Sequence, residues 1–191
     1  MIAATPRYTE ADLETILVSK EQIRKRVEEL GRDLSKHFEG KDVTVVSILS
    51  GALVFTADLI RSCDFATRLD CLRAESYGNL MSADAPPRIT NPLKTDISGR
   101  HVLVVDDILD SGNTLRAIIK YLSQAEPASL STCVLLDKPS RHSSEFTADF
   151  KGFTIPDEFV VGYGLDFAER YRNLSCIGVL KKDLQKQESH A

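Results

Sequence analysis

The stretch VLVVDDILDSGNT, residues 102–114, decides both the fold and the site that we expect for this chain. Its four leading apolar residues are typical of a central parallel strand that is covered on both faces. We predict a strand over His101–Val105 that ends in two carboxylates, Asp106 and Asp107. A short polar turn then leads into a predicted helix over Thr114–Gln124.

On either side of this stretch, β-rich runs alternate with helical ones. The other predicted strands are Val43–Leu49, Arg68–Ala74, Thr132–Leu136 and Glu158–Val161, and the other predicted helices are Glu21–Phe38 and Ala52–Cys63. This alternation predicts an α/β fold with a doubly wound, mostly parallel sheet and right-handed crossovers. In such sheets ligands bind beyond the carboxyl ends of the strands, so the site is expected there.

The turn after the predicted strand has the residues that a phosphate needs. Gly112 lets the backbone tighten, so that successive amides and the hydroxyls of Ser111 and Thr114 surround an anion. The helix N-terminus adds free N–H groups and a positive dipole end. The two aspartates suit instead a neutral polyol, or a magnesium ion beside it. A phosphate with vicinal hydroxyls nearby indicates a ribose 5-phosphate, whereas a lone Asp-Asp pair would indicate only solvated acids beside a capped helix.

Residues 102–114 resemble the phosphoribosyl-pyrophosphate (PRPP) motif of type I phosphoribosyltransferases. LDKP at 136–139 and FVVGYGLDFAERYRNL at 159–174 resemble the hypoxanthine-guanine branch, and the resemblance extends from about residue 10 to 182. It implies the type I fold with a small hood. It also implies magnesium-dependent transfer of the 5-phosphoribosyl group from PRPP to N9 of hypoxanthine, guanine or both, which gives IMP or GMP and pyrophosphate.

The resemblance assigns PRPP binding to a set of loop residues: Asp106, Asp107, Asp110, Ser111, Gly112, Asn113, Thr114, Ser50, Gly51 and Arg172. Ser50 and Gly51 form a short pyrophosphate loop after a strand, and Arg172 is a forked cation suited to pyrophosphate. Asp110 is the candidate catalytic group, which would accept or share the proton at purine N7.

The resemblance assigns the purine to three residues. Lys138 follows a strand and would bond the 6-oxo group, Phe159 would stack on the base, and the Val160 backbone would meet the base edge. Asp166 resembles the direct magnesium ligand, because magnesium suits one or two carboxylates plus substrate oxygens. Ser76 and Tyr77 resemble the start of a mobile lid over the proline-bearing segment 78–95.

Two residues depart from the family pattern. Many relatives carry lysine where this chain has Ser50, and the first acid of the pair is often glutamate where this chain has Asp106. We therefore assign no function of that lysine to Ser50, and we expect the shorter side chain of Asp106 to meet the ribose hydroxyl through a different geometry.

We expect residues 1–191 to form a single domain, with a core of about residues 37–165 and a hood from about 8–36 and 165–184. The net charge of −4 argues against a general nucleic-acid binder. No apolar run approaches the length of about 20 residues that a helix needs to cross a bilayer, and no signal-peptide pattern is visible. We therefore expect a cytoplasmic protein with no membrane partner. The resemblance implies a homodimer or homotetramer.

Two alternatives share the fold: an RNA-binding regulator like the pyrimidine-operon attenuators, and a pseudoenzyme that only binds nucleotides. The regulator would need a basic face, which the net charge of −4 does not favour. The presence of Asp110, Lys138 and Asp166 disfavours the pseudoenzyme. The sequence does not decide among hypoxanthine, guanine and xanthine.

Overall fold

A computed structural model describes residues 8–75, 88–142 and 146–186 of the chain. The strands are β1 (Leu13–Val18), β2 (Asp42–Leu49), β3 (Ala66–Glu75), β4 (Arg88–Asn91), β5 (His101–Leu109), β6 (Ser129–Asp137), β7 (Phe150–Thr154), β8 (Val160–Val161) and β9 (Ile177–Leu180). The helices are α1 (Lys20–His37), α2 (Leu53–Arg61), α3 (Asn113–Ser123) and α4 (Lys182–Lys186).

The main sheet has six strands in the order β4-β3-β2-β5-β6-β7. Five of them run parallel, and β4 lies antiparallel at the edge. The carboxyl ends of β3, β2, β5 and β6 therefore lie side by side at one edge of the molecule. This confirms the doubly wound, mostly parallel sheet and places the ends of the predicted strands together.

Side chains of β5 alternate between two apolar clusters. Leu103 and Val105 pack with α1 and α2 on one face, while Val102 and Val104 pack with α3 on the other. A strand buried on both faces must be apolar at every position, which explains the uninterrupted VLVV run.

A second sheet of three antiparallel strands, in the order β1-β9-β8, forms the hood. One of its faces joins the main core through Val18, Val160 and Ile177. The other covers a small cluster that contains Leu13, Val161 and Tyr171. The hood thus begins with a strand, Leu13–Val18, that the sequence did not predict.

Helix α1 does not lie where the sequence predicted, since the hood was expected to contain the N-terminal helix. Its Ser19–Gln22 capping box forms, with the Gln22 amide 3.3 Å from Ser19 Oγ. Its apolar stripe, however, packs against α2 and the main sheet, in one cluster with Val43 and Leu103. A stripe with a 3.6-residue period predicts that a helix is packed, but not on which element.

Two further predictions are corrected in the sheets. The strand predicted over Glu158–Val161 is only Val160–Val161, and it belongs to the hood sheet. Strand β7, in the main sheet, was not predicted, because FKGFT is short and mixes lysine and glycine with its apolar residues. Among the described residues, no helix is both long and apolar enough to cross a membrane.

Candidate active site

The acid pair, Asp106 and Asp107, lies inside β5 and not after it. On one side the pairing of β5 with β2 ends at Ser47–Val105, although β2 continues to Leu49 in its pairing with β3. On the other side it stays paired with β6 as far as Leu109. The predicted end of the strand at Val105 is thus wrong, and the acids project where β5 has lost one neighbour.

The electrostatics of the acid pair follow from its burial. Asp106 is buried, and burial followed by the charge of Asp107 raises its pKa well above the usual range. Burial also raises the pKa of Asp107, opposed by hydrogen bonds from Asp106 and from backbone amides and by the charge of Arg172. Burial and mutual repulsion therefore disfavour the state in which both carboxyl groups are charged.

The phosphate loop, residues 110–114, connects β5 to α3. Gly112 has a left-handed φ of +81°, and its carbonyl accepts the first helical bond from the Arg116 amide. A cavity of about 220 Å³ is lined by both acids, Asp110, Ser111, Gly112 and Thr114. The side-chain oxygen of Asn113 instead accepts a hydrogen bond from Arg116, at 3.1 Å. One concave site is thus lined by carboxylates, by hydroxyls and by the residues at the N-terminus of α3.

Asp110 and Lys138 belong to one chain of charged contacts. Arg141 Nε donates to Asp110 Oδ1 at 3.0 Å, and the same nitrogen lies 3.7 Å from Asp157 Oδ1. The ammonium of Lys138 is 3.8 Å from Asp157, and its side chain is only 8% exposed. The Lys138 amide donates to the Leu109 carbonyl at 2.9 Å, which holds the lysine next to the end of β5.

The β2–α2 loop, residues 49–52, packs directly on the acid pair. The Leu49–Ser50 peptide bond is cis. A Cβ added at Gly51 would lie 1.8 Å from Asp107 Oδ2, so only glycine fits there. A Cβ added at Gly164 would lie 2.3 Å from the Gly51 carbonyl oxygen, which brings the loop of residues 162–172 onto the same spot.

Arg172 and Asp166, predicted for pyrophosphate and metal respectively, form an ion pair with each other. Arg172 Nη1 is 2.9 Å from Asp166 Oδ1 and donates to the Gly164 carbonyl at 2.7 Å, while Nη2 donates to Glu169 at 2.9 Å. The other oxygen of Asp166 accepts the Glu169 amide at 2.9 Å. Within the described ranges no three acidic, histidine or cysteine side chains converge into a metal cluster.

The predicted purine platform has the exposure that a stacking surface needs. Phe159 is 45% exposed and meets Phe167 edge to face, with ring centroids 5.6 Å apart. The Val160 side chain is buried, and its strand lies at the edge of the hood sheet, so in the described part of the chain one side of its backbone is not used by the sheet. Ser76 and Tyr77, the predicted start of the lid, lie outside the described residues.

Sequence reasoning missed four charged residues at this site: Arg73, Arg141, Asp157 and Glu169. Arg73 Nη2 donates to Ser50 Oγ at 3.0 Å across a pair of neighbouring strands. Glu169 has a lowered pKa because it accepts a hydrogen bond from Arg172 and lies close to its charge. The strand order, which puts the ends of β3 and β2 together, is the signal that would have directed attention to Arg73.

Comparisons with known proteins identify the family. Residues 15–168 match the family model of the phosphoribosyl transferase domain. The hypoxanthine-guanine phosphoribosyltransferase of Bacillus subtilis (strain 168) is 44% identical over 170 residues, covering 89% of this chain and 94% of that protein. The hypoxanthine phosphoribosyltransferase of Escherichia coli (strain K12) is 45% identical over 165 residues, or 85% and 93% of the two chains. A crystal structure of a hypoxanthine-guanine phosphoribosyltransferase from Bacillus anthracis, with a HEPES molecule in its active site, matches with a TM-score of 0.86 and 40% identity, covering 88% of this chain and 99% of that one.

Proposed function

Since the chain belongs to the phosphoribosyltransferase family, among the hypoxanthine-guanine phosphoribosyltransferases, we propose that it salvages 6-oxopurines. It transfers the 5-phosphoribosyl group from PRPP to N9 of hypoxanthine, guanine or both, and it releases IMP or GMP and pyrophosphate. The observation that carries this proposal is a single cavity lined by both the acid pair and the phosphate loop, with the buried Lys138 held at Leu109 by its backbone amide.

We propose that the ribose 5-phosphate lies along this cavity. The phosphate takes the amides and hydroxyls of residues 111–114 at the N-terminus of α3. The ribose hydroxyls meet the acid pair, whose carboxyl oxygens accept hydrogen bonds from a diol.

The purine belongs between Lys138 and Phe159. The Lys138 ammonium has only donors, so it pairs with the 6-oxo group of hypoxanthine or guanine. The exposed ring of Phe159 offers an apolar face for stacking.

Asp110 is proposed to accept or share the proton at purine N7. In the free chain its carboxylate accepts a hydrogen bond from Arg141 Nε at 3.0 Å, so this arginine must move aside or share the oxygen before the purine can meet Asp110. The transition state resembles a ribosyl oxocarbenium ion, so placed charge and exclusion of water contribute more than covalent chemistry. A lid that begins at Ser76 and Tyr77 would provide that exclusion.

Asp166 fits a magnesium ion that takes one protein carboxylate and completes its shell with substrate oxygens and water. When bound, magnesium would neutralise charge on the departing pyrophosphate. We further propose that the chain works in the cytoplasm as a homodimer or homotetramer, as the family resemblance implies.

Steady-state kinetics with PRPP, magnesium and each of hypoxanthine, guanine, xanthine and adenine test the proposal. Turnover with the first two and little with adenine is the expected result. Absence of turnover with every base, in protein that still binds PRPP, would favour the nucleotide-binding pseudoenzyme. Retardation of a pyrimidine-operon leader RNA in a gel would favour the regulator.

A further inference from the structure

The β2–α2 loop lacks a cation of its own, although it lies where the proposed function needs one. Residues 49–53 read LSGAL and contain neither lysine nor arginine. A multiply charged pyrophosphate needs positive partners. Arg172 is next to the loop, but its guanidinium is already balanced by Asp166 and Glu169.

Arg73 brings a positive charge to this loop from the neighbouring strand. It lies near the carboxyl end of β3 and pairs with Leu49 in the parallel register of β2 and β3. Its guanidinium donates to Ser50 Oγ at 3.0 Å. The contact thus joins the charged guanidinium of Arg73 to the neutral hydroxyl of Ser50, and Arg73 is exposed.

The charge of Arg73 also acts on the loop of residues 162–172. After Arg172 itself, Arg73 helps to lower the pKa of Glu169. In the part of the chain that the structure describes, however, no carboxylate forms an ion pair with Arg73. A guanidinium in this position has donors left for an anion between the two loops.

We propose that Arg73 binds the pyrophosphate group of PRPP and of the released product, and that it supplies the cation that Ser50 does not. The role rests on the proposed function. Ser50 then acts as the acceptor that orients the guanidinium, and Asp107 fixes the backbone of the same loop through its contact at Gly51.

The experiment compares Arg73→Gln with the wild type, because glutamine keeps a donor for Ser50 while removing the charge. The inhibition constant of inorganic pyrophosphate and the KM for PRPP should both rise roughly tenfold, as expected for a charge-assisted bond near solvent. The KM for hypoxanthine and the inhibition constant of IMP, which lacks pyrophosphate, should stay unchanged. Arg73→Lys should fall between wild type and Arg73→Gln.

Two further variants separate this role from a general effect of charge or folding. Arg68→Gln removes a positive charge from the opposite end of β3, where Arg68 pairs with Asp42, and it should behave as wild type. Adding Ser50→Lys to Arg73→Gln should recover most of the lost pyrophosphate affinity, because it returns a cation to the loop.

The possible failures are distinct. A wild-type chain without PRPP-dependent turnover would refute the proposed function itself. An active wild type with an unchanged pyrophosphate constant in Arg73→Gln would refute only the role of Arg73. An equal loss of affinity for pyrophosphate, IMP and hypoxanthine would also overturn it, since that pattern indicates a structural residue.

Discussion

Lys138→Gln should remove much of the discrimination between 6-oxo and 6-amino purines. The lysine side chain is 8% exposed, and its nearest described counter-charge is Asp157 at 3.8 Å, itself 52% exposed. Adenine would present an amino group to this ammonium, so a buried donor would face another donor. Glutamine can present either its carbonyl or its amide, so it accommodates both types of base.

The size of the effect follows from the burial of the lysine. A hydrogen bond from a charged group contributes about 1.5–3 kcal/mol, and leaving such a group buried without a partner costs more. The contact with Asp157 offsets part of that cost. A net discrimination of about 3–4 kcal/mol corresponds to about 10²- to 10³-fold in kcat/KM.

The assay is the ratio of kcat/KM for hypoxanthine to that for adenine, measured in wild type and in Lys138→Gln. Asp157→Asn is the matched control, because it removes the counter-charge while leaving the ammonium in place, and it should keep the selectivity. Lys138→Met offers neither donor nor acceptor and should lower activity with hypoxanthine without raising activity with adenine. An unchanged ratio in Lys138→Gln would show that another group selects the base, with the Val160 backbone as the next candidate.

Three other outcomes are expected. Asp110→Asn should retain PRPP binding in calorimetry but lower kcat by about 10²- to 10⁴-fold; unchanged turnover, with chemistry rate-limiting, would remove Asp110 from the mechanism. Asp106→Asn should gain stability relative to wild type as pH rises from about 4, because burial raises the folded-state pKa of Asp106 above its unfolded value of about 3.9 and the wild type loses stability when this proton leaves. Urea titrations at several pH values measure the difference in the free energy of unfolding. A difference that grows toward low pH would contradict the raised pKa. Hydrogen exchange in residues 76–87 should slow with PRPP and magnesium, and less with IMP alone; high protection of these residues in the free enzyme would contradict a lid. The expectation of a loop as far as residue 95 is corrected at its end, because Arg88–Asn91 form β4 and pair with β3.

The segment from β5 to α3 was predictable because several independent features of its sequence agree. A fully apolar run, two acids and a Gly-containing polar turn each restrict the same few residues, and together they indicate the strand, the site and the helix start. The strands of the hood gave no comparable signal. β1 is mostly exposed between its two buried ends, and β9 has only four residues.

The residues missed at the site share a different property. Arg73 meets Ser50, which is 23 positions away in the chain, and Arg141 meets Asp110, which is 31 positions away. Neither arginine has an unusual local pattern, since an isolated arginine is ordinarily a solvated surface residue. Their roles arise from strand order, which brings together the ends of neighbouring strands, and a single sequence specifies that order only indirectly.

The ion pairs of the free site have a consequence for how substrates enter it. Arg172, proposed to bind pyrophosphate, is held by Asp166 and Glu169, and Asp110, proposed to act at the purine, is held by Arg141. A pyrophosphate that takes Arg172 as its partner would release an oxygen of Asp166 for a metal ion, and a metal ion on Asp166 would release Arg172 for pyrophosphate. On the proposed function, pyrophosphate and the metal ion therefore bind cooperatively, because each breaks the ion pair that occupies the other's partner. By linkage, each ligand raises the affinity for the other by the same factor.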